Sequence, residues 1–93
     1  MLSVIDAKYS DDYRIEVKFS DEREGVIDLE PFITRGNIKP FRELGDKEKF
    51  KNFKVDYTIK WDNELDLAPE YLYFEAFKNE RELNDLFRRW GYR

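Results

Sequence analysis

The sequence predicts an α+β fold: a small, mostly antiparallel sheet with short helices on one face and a C-terminal helix. Three observations carry this reading. Two runs, 13–19 and 54–61, alternate apolar and polar residues, and one apolar stripe of helical period runs through residues 83–90. A period of two marks a strand with one buried face, whereas steps of three and four mark a helix lying on a core.

In chain order, Val4-Ile5-Asp6-Ala7-Lys8-Tyr9 reads as the first strand and Ser10-Asp11-Asp12 as a turn. In Tyr13-Arg14-Ile15-Glu16-Val17-Lys18-Phe19 the apolar positions face the core, and Arg14, Glu16 and Lys18 face water. Ser20-Asp21-Glu22-Arg23 closes a second hairpin into Glu24-Gly25-Val26-Ile27-Asp28-Leu29, which completes an N-terminal three-stranded meander. Pro31-Phe32-Ile33 and Pro40-Phe41-Arg42-Glu43-Leu44 each start a helical turn with proline in its first positions. Asp46 caps a further short helix over 47–53, with Phe50 and Phe53 on one side. A half-apolar sheet needs a second layer, and these turns supply it.

The second alternating run, Lys54-Val55-Asp56-Tyr57-Thr58-Ile59-Lys60-Trp61, places Val55, Tyr57, Ile59 and Trp61 on one face. After a turn at Asp62-Asn63-Glu64, Leu65-Asp66-Leu67 returns beside it as a C-terminal hairpin. Pro69 with Glu70 opens a helical turn. Residues 74–93 read as a helical extension: Asn79 and Glu82 form a capping box, Leu83, Leu86, Phe87 and Trp90 make the apolar stripe, and Gly91 stops the helix.

At 93 residues the chain reads as a single domain, 1–93. Its 16 aromatic residues argue for a packed core, and the lack of Cys and His removes disulfides, thiolate and imidazole metal sites, Cys nucleophiles and His-based triads. No cofactor is read from the sequence. The net charge of −4 makes nucleic acid an unlikely partner for the body of the molecule. Charge is uneven, with a net of +2 over residues 78–93 and −6 over residues 1–77. No apolar run approaches the ~20 residues of a spanning helix. With no secretory signal pattern either, a cytoplasmic protein without a membrane partner is expected.

Asp62, Glu64 and Asp66 alternate like the start of a calcium loop, but Leu67 and Tyr73 occupy the positions of its glycine and bidentate glutamate, so an EF-hand is excluded. Asp66 and Glu70 remain as a weak carboxylate pair for a hard cation. Carboxylates are the acid–base groups left for catalysis, yet they fall at turns and on wet strand faces, so no catalytic residue is assigned and a non-enzymatic role is expected. Arg88-Arg89-Trp90-Gly91-Tyr92-Arg93 interleaves cations with rings, a pattern suited either to a protein contact or to single-stranded nucleic acid. Phe87, Arg88, Arg89 and Trp90 are therefore partner-contact candidates, with Asp62, Glu64 and Asp66 as an acidic counterpart. The expected function is binding another small protein or a second copy, and the alternative is a nucleic-acid accessory factor using the tail.

The segment Trp61-Asp62-Asn63-Glu64-Leu65-Asp66-Leu67-Ala68-Pro69-Glu70-Tyr71-Leu72-Tyr73 resembles the closing signature of a bacterial family, domain of unknown function 2442. The stretches from Phe19 to Leu29 and from Phe50 to Asp56 are similar to it as well, so the resemblance covers residues 2–73. Asp62 and Glu64 stand where the family's turn has Pro and Gly. The resemblance implies a small α+β fold and no established activity, cofactor or catalytic residue. It also implies pairing with another small protein in a toxin–antitoxin-like arrangement, hence an antitoxin-like or accessory role.

Overall fold

The alternating run around Ile15 becomes the middle strand of a three-stranded antiparallel sheet in the order β1–β2–β3. In the computed structural model, which describes residues 1–62 and 65–93, these strands are Val4–Tyr9, Arg14–Phe19 and Glu24–Asp28. Ile15, Val17, Phe19, Ile27 and Leu29 are buried on the inner face. The outer face places opposite charges directly across the strands: Asp6 beside Lys18, Lys8 beside Glu16, Lys18 beside Glu24 and Arg14 beside Asp28. Facing pairs of opposite sign stabilise a sheet by some tenths of a kcal/mol each, about 0.2–1, so the wet side holds its own register.

The first strand departs from simple alternation. Val4 pairs with Phe19 but Asp6 with Lys18, so Ile5 is an extra, bulged residue. The bulge lets Val4 and Ala7, three residues apart, both face the core, and it leaves Ile5 exposed.

Both sheet edges are covered. Along β1, the Val4 N–H donates to the Tyr57 carbonyl (2.8 Å), the Ala7 N–H to its neighbour Asp6 Oδ1 (2.9 Å), and the Lys51 ammonium lies over the Tyr9 ring (4.9 Å). Along β3, a helix approaches where Gly25 has no side chain. A Cβ there would lie 2.8 Å from Cε1 of Phe77 and 3.1 Å from Cβ of Ala76.

The run at 54–61 is not one strand. It folds back on itself at Tyr57, whose φ is +54°, into β4 (Lys54–Asp56) and β5 (Thr58–Lys60), with Val55 opposite Ile59. The reversal brings Ile59 and Trp61 into the core but leaves Val55 and Tyr57 exposed, so the single apolar face expected from alternation exists in its second half alone. Asp66 then bridges to Lys60, and the Trp61 N–H donates to the Leu65 carbonyl (2.9 Å), so the predicted return of 65–67 is present. Asn63 and Glu64 of the expected turn lie outside the described residues.

Helices fill the second layer. α1 (Glu30–Thr34) and α2 (Lys39–Glu43) each carry proline in the first turn, and α3 (Lys47–Lys51) is capped by Asp46, which accepts from the Glu48 N–H at 3.0 Å. The expected extension over 74–93 is two helices, and 74–77 complete the first, α4 (Pro69–Phe77). A 3₁₀ turn at Arg81–Leu83 leads into α5 (Asn84–Trp90). The Asn79–Glu82 capping box does not form: neither start has a side-chain cap, and Glu82 instead pairs with Arg23 at 3.2 Å. Gly91 does stop α5, at φ +87°, with the Tyr92 N–H on the Phe87 carbonyl (2.9 Å) and the Gly91 N–H on that of Arg88 (3.1 Å).

Gly25→Ala forces the Phe77 ring out of its seat, and overpacking of this kind costs about 1–3 kcal/mol. Urea unfolding is expected to give a lower midpoint at unchanged slope. A midpoint equal to that of the parent would mean that α4 does not lie against β3.

Candidate partner-binding surfaces

The C-terminal candidates divide between core and surface. Phe87 has 0% exposure, so it is not available as a surface contact; it completes the molecule's own core. Its ring meets Phe74 edge-on at 5.0 Å and Tyr73 at 6.3 Å. The cause lies in α4, whose rings at 73, 74 and 77 exceed what the three-stranded sheet can cover. Trp90 is half-buried against Tyr73 (5.9 Å) and Phe87 (6.0 Å). Tyr92 stacks on Phe74 at 5.0 Å, and Arg93 lies over the same ring while donating to the Lys78 carbonyl. Arg88 and Arg89 are exposed, with Arg88 paired to Asp85 of its own helix at 3.4 Å.

The acidic candidates sit elsewhere. Asp62 pairs with Lys54 at 3.5 Å, Asp66 is exposed beside β5, and Glu64 lies outside the described residues. Among the described residues no ion pair joins Arg88 or Arg89 to Asp62 or Asp66. Nor do three or more described carboxylates gather as a metal site would require. No helix among the described residues is long and apolar enough to cross a membrane.

A polar network ties the β2–β3 turn to the C-terminal half. The Tyr73 hydroxyl donates to Asp21 Oδ2 (2.7 Å), and Arg23 contacts both Asp21 (3.9 Å) and Glu82 (3.2 Å). Burial, reinforced by the Asp21 carboxylate, pushes the Tyr73 phenol up to about 12. Tyr71 is raised by burial and by Glu75, and Tyr92 by burial and by Glu70. The Glu82 carboxylate raises the Arg23 guanidinium.

A surface that alternation concealed lies at the junction of β1 with the β4–β5 hairpin. Ile5 (52% exposed), Val55 (39%) and Tyr57 (55%) are large apolar side chains left in solvent there. The Lys60 ammonium stands 4.7 Å above the Tyr57 ring. Asp56, a turn-favouring residue, is the signal in the sequence that a reversal could interrupt this run. A separate depression of about 370 Å³ is lined by Glu43, Leu44, Lys49, Asn52, Trp61 and Asp62. Its walls mix both signs of charge, and the Trp61 indole N–H is already engaged by the Phe50 carbonyl at 2.9 Å.

Fold and surfaces together define a small α+β domain built on a three-stranded meander and a one-residue hairpin reversal. The chain belongs to the family described as "Protein of unknown function (DUF2442)", whose model matches residues 4–78. No curated protein and no solved structure matches the chain. The match runs from the first residue of β1 to the residue that closes α4, so it extends past the expected boundary at 73 and includes the whole of that helix.

The raised Tyr73 phenol has a consequence for stability. The fold favours its neutral form, so the contribution is intact below pH 10 and is lost as the pH rises toward about 12. In chemical denaturation over about pH 8–12, Tyr73→Phe is expected to reduce this alkaline fall, after a loss at neutral pH of about 0.5–1.5 kcal/mol for one hydrogen bond. An unchanged alkaline slope would show that Tyr73 is not the group responsible.

Proposed function

We propose that this chain is a non-enzymatic protein-interaction domain and that its exposed contact surface is the junction of β1 with the β4–β5 hairpin. The observation that carries the reading is Tyr57. A bulky residue at positive φ is a conformational outlier that costs about 1–2 kcal/mol, and such strain persists where the surrounding structure imposes it, often at functional positions. Here the strained residue holds an aromatic ring in solvent, two positions from exposed Val55, and its carbonyl accepts from the N–H of Val4, the chain neighbour of exposed Ile5. Exposed aromatic and aliphatic groups of this kind form the centre of protein interfaces. The family resemblance adds the suggestion that the partner is another small protein, in an antitoxin-like or accessory relation. The nucleic-acid alternative finds less support, because Trp90 and Tyr92 are engaged with Tyr73 and Phe74 and leave few rings on which a base could stack.

The test is co-expression of the tagged full chain with the products of its neighbouring genes. A stoichiometric small protein is expected to be retained by the parent and by Arg88→Ala/Arg89→Ala. It should be lost from Val55→Lys/Tyr57→Asn, since Asn tolerates the left-handed backbone and spares the fold. A partner held equally by the hairpin variant would overturn the assignment of this surface. A chain that recovers no partner and runs as a monomer in light scattering would overturn the interaction role. Salt-sensitive binding of single-stranded RNA, lost in the Arg88/Arg89 variant, would replace it with the alternative.

A further inference from the structure

The family match closes at residue 78, yet residues 79–93 fold back onto α4. The aromatic contacts of Phe74 all come from this segment: Phe87 edge-on at 5.0 Å, Tyr92 stacked at 5.0 Å and the Arg93 guanidinium at 5.7 Å. Tyr73, which packs on Phe19 and Phe77 within the family unit, adds contacts to Phe87 and Trp90, and Tyr71 lies between Phe32 (5.8 Å) and Tyr92 (5.9 Å). The family unit thus carries, on its last helix, one ring, Phe74, whose aromatic partners all come from outside that unit, flanked by Tyr71 and Tyr73, which the same segment covers in part.

The cover is weakly built. α5 has seven residues and no side-chain N-cap, so it has little helical stability of its own. Within the segment Phe87 alone is fully buried. Its ion pair to the body, Arg23 with Glu82, is solvent-exposed, and surface pairs contribute about 0–1 kcal/mol. What seats α5 is its apolar side chains, Leu86 beside the rings of Phe87 and Trp90. A helix from another molecule that offers the same rings with a longer, better-capped backbone can take its place, as amphipathic helices dock in apolar grooves generally.

We propose that the face of α4 formed by Tyr71, Tyr73 and Phe74 is a helix-docking surface that α5 occupies in cis, and that the partner it fits is a short amphipathic helix presenting a Phe and a Trp three residues apart. This rests on the protein-interaction reading but concerns a second surface, normally covered. The covering segment reduces the apparent affinity for such a partner by the fraction of molecules in which it is open.

The probe is a fluorescent peptide with the sequence of residues 79–93, titrated against the full chain and against full-length Phe87→Ala/Trp90→Ala/Tyr92→Ala, which strips the covering rings from the site. The peptide is expected to bind the triple variant at least about tenfold more tightly than the parent, in proportion to the opened fraction. Val55→Lys/Tyr57→Asn should leave peptide binding unchanged, so this result stands or falls apart from the hairpin surface. Equal binding to both chains, or binding to neither while circular dichroism shows the variant folded, overturns the proposal. Should the variant unfold, hydrogen exchange on the parent decides. Amides of 84–90 exchanging at least about tenfold faster than those of β2 report a cover that opens locally. Exchange at the rate of β2 means that α5 leaves only when the whole fold does, and the docking surface does not exist as such.

Discussion

The inner face of β1–β2–β3 is the constraint on which the rest of this structure depends. A three-stranded sheet is too small to bury its own apolar face, and Ile15, Val17, Phe19, Ile27 and Leu29 are all buried. Each later helix, and β5, adds one to three core side chains: Ile33 from α1, Phe41 from α2, Phe50 from α3, Ile59 from β5, Leu72, Tyr73 and Phe77 from α4, and Phe87 from α5. α1, α2 and α3 have five residues each and would not persist alone. Their stability comes from the side chains they deposit on the sheet, which explains why aromatic residues, with the largest area per position, dominate the cover.

Rings with a polar end do a second job at the margin of this core. The Tyr13 hydroxyl donates to the Gly45 carbonyl (2.6 Å), that of Tyr9 to Asp12 (3.0 Å), and the Trp61 indole to Phe50 (2.9 Å), so each ties a loop or helix end to the strand beneath it. The hydroxyl of buried Thr58 likewise fixes the Leu67 carbonyl and with it the return of 65–67. Among the described residues no buried side-chain polar atom lacks a partner. Tyr and Trp are tolerated in and around this core because their polar ends are bonded to backbone carbonyls or, at Tyr73, to the Asp21 carboxylate rather than left dry.

This division explains what was legible in the sequence. β2 was fully readable, because one face is packed and the other solvated and nothing interrupts the period of two. The proline starts, the Asp46 cap and the Gly91 stop were readable because each depends on local backbone chemistry. The hairpin at Tyr57 was not, since alternation records which side chains differ in polarity and is silent on where the backbone reverses. α4 shows in the sequence as an opening turn alone because Tyr71, Leu72, Tyr73, Phe74 and Phe77 surround the helix with apolar groups, with sheet on one side and α5 on the other, and leave no polar face to reveal a period. The Asn79–Glu82 box failed for a tertiary reason: Arg23 from the β2–β3 turn takes the glutamate. The contact candidates follow the same pattern, with the stripe residue Phe87 claimed by the core and the surface residues Val55 and Tyr57 concealed by a period that assigns them to the buried face.

Bulk charge suggests that a tail of +2 is drawn onto a body of −6, but the contacts argue otherwise. Two ion pairs among the described residues join 78–93 to the rest of the chain: Lys78 with Glu75, a local pair three residues apart at the end of α4, and Glu82 with Arg23, in which the tail supplies the acid and the body the base. The tail's Arg88 is matched within its own helix, and the acids and bases of the outer sheet face are matched across strands. Matched in this way, these charges do not orient the tail, and the exposed Arg23–Glu82 pair contributes about 1 kcal/mol at most. The orientation of α5 is therefore set by Phe87 against Tyr73 and Phe74, with Trp90 on Tyr73 and Tyr92 on Phe74. Apolar contact of that kind selects for ring shape and spacing and is indifferent to the sign of the charge around it.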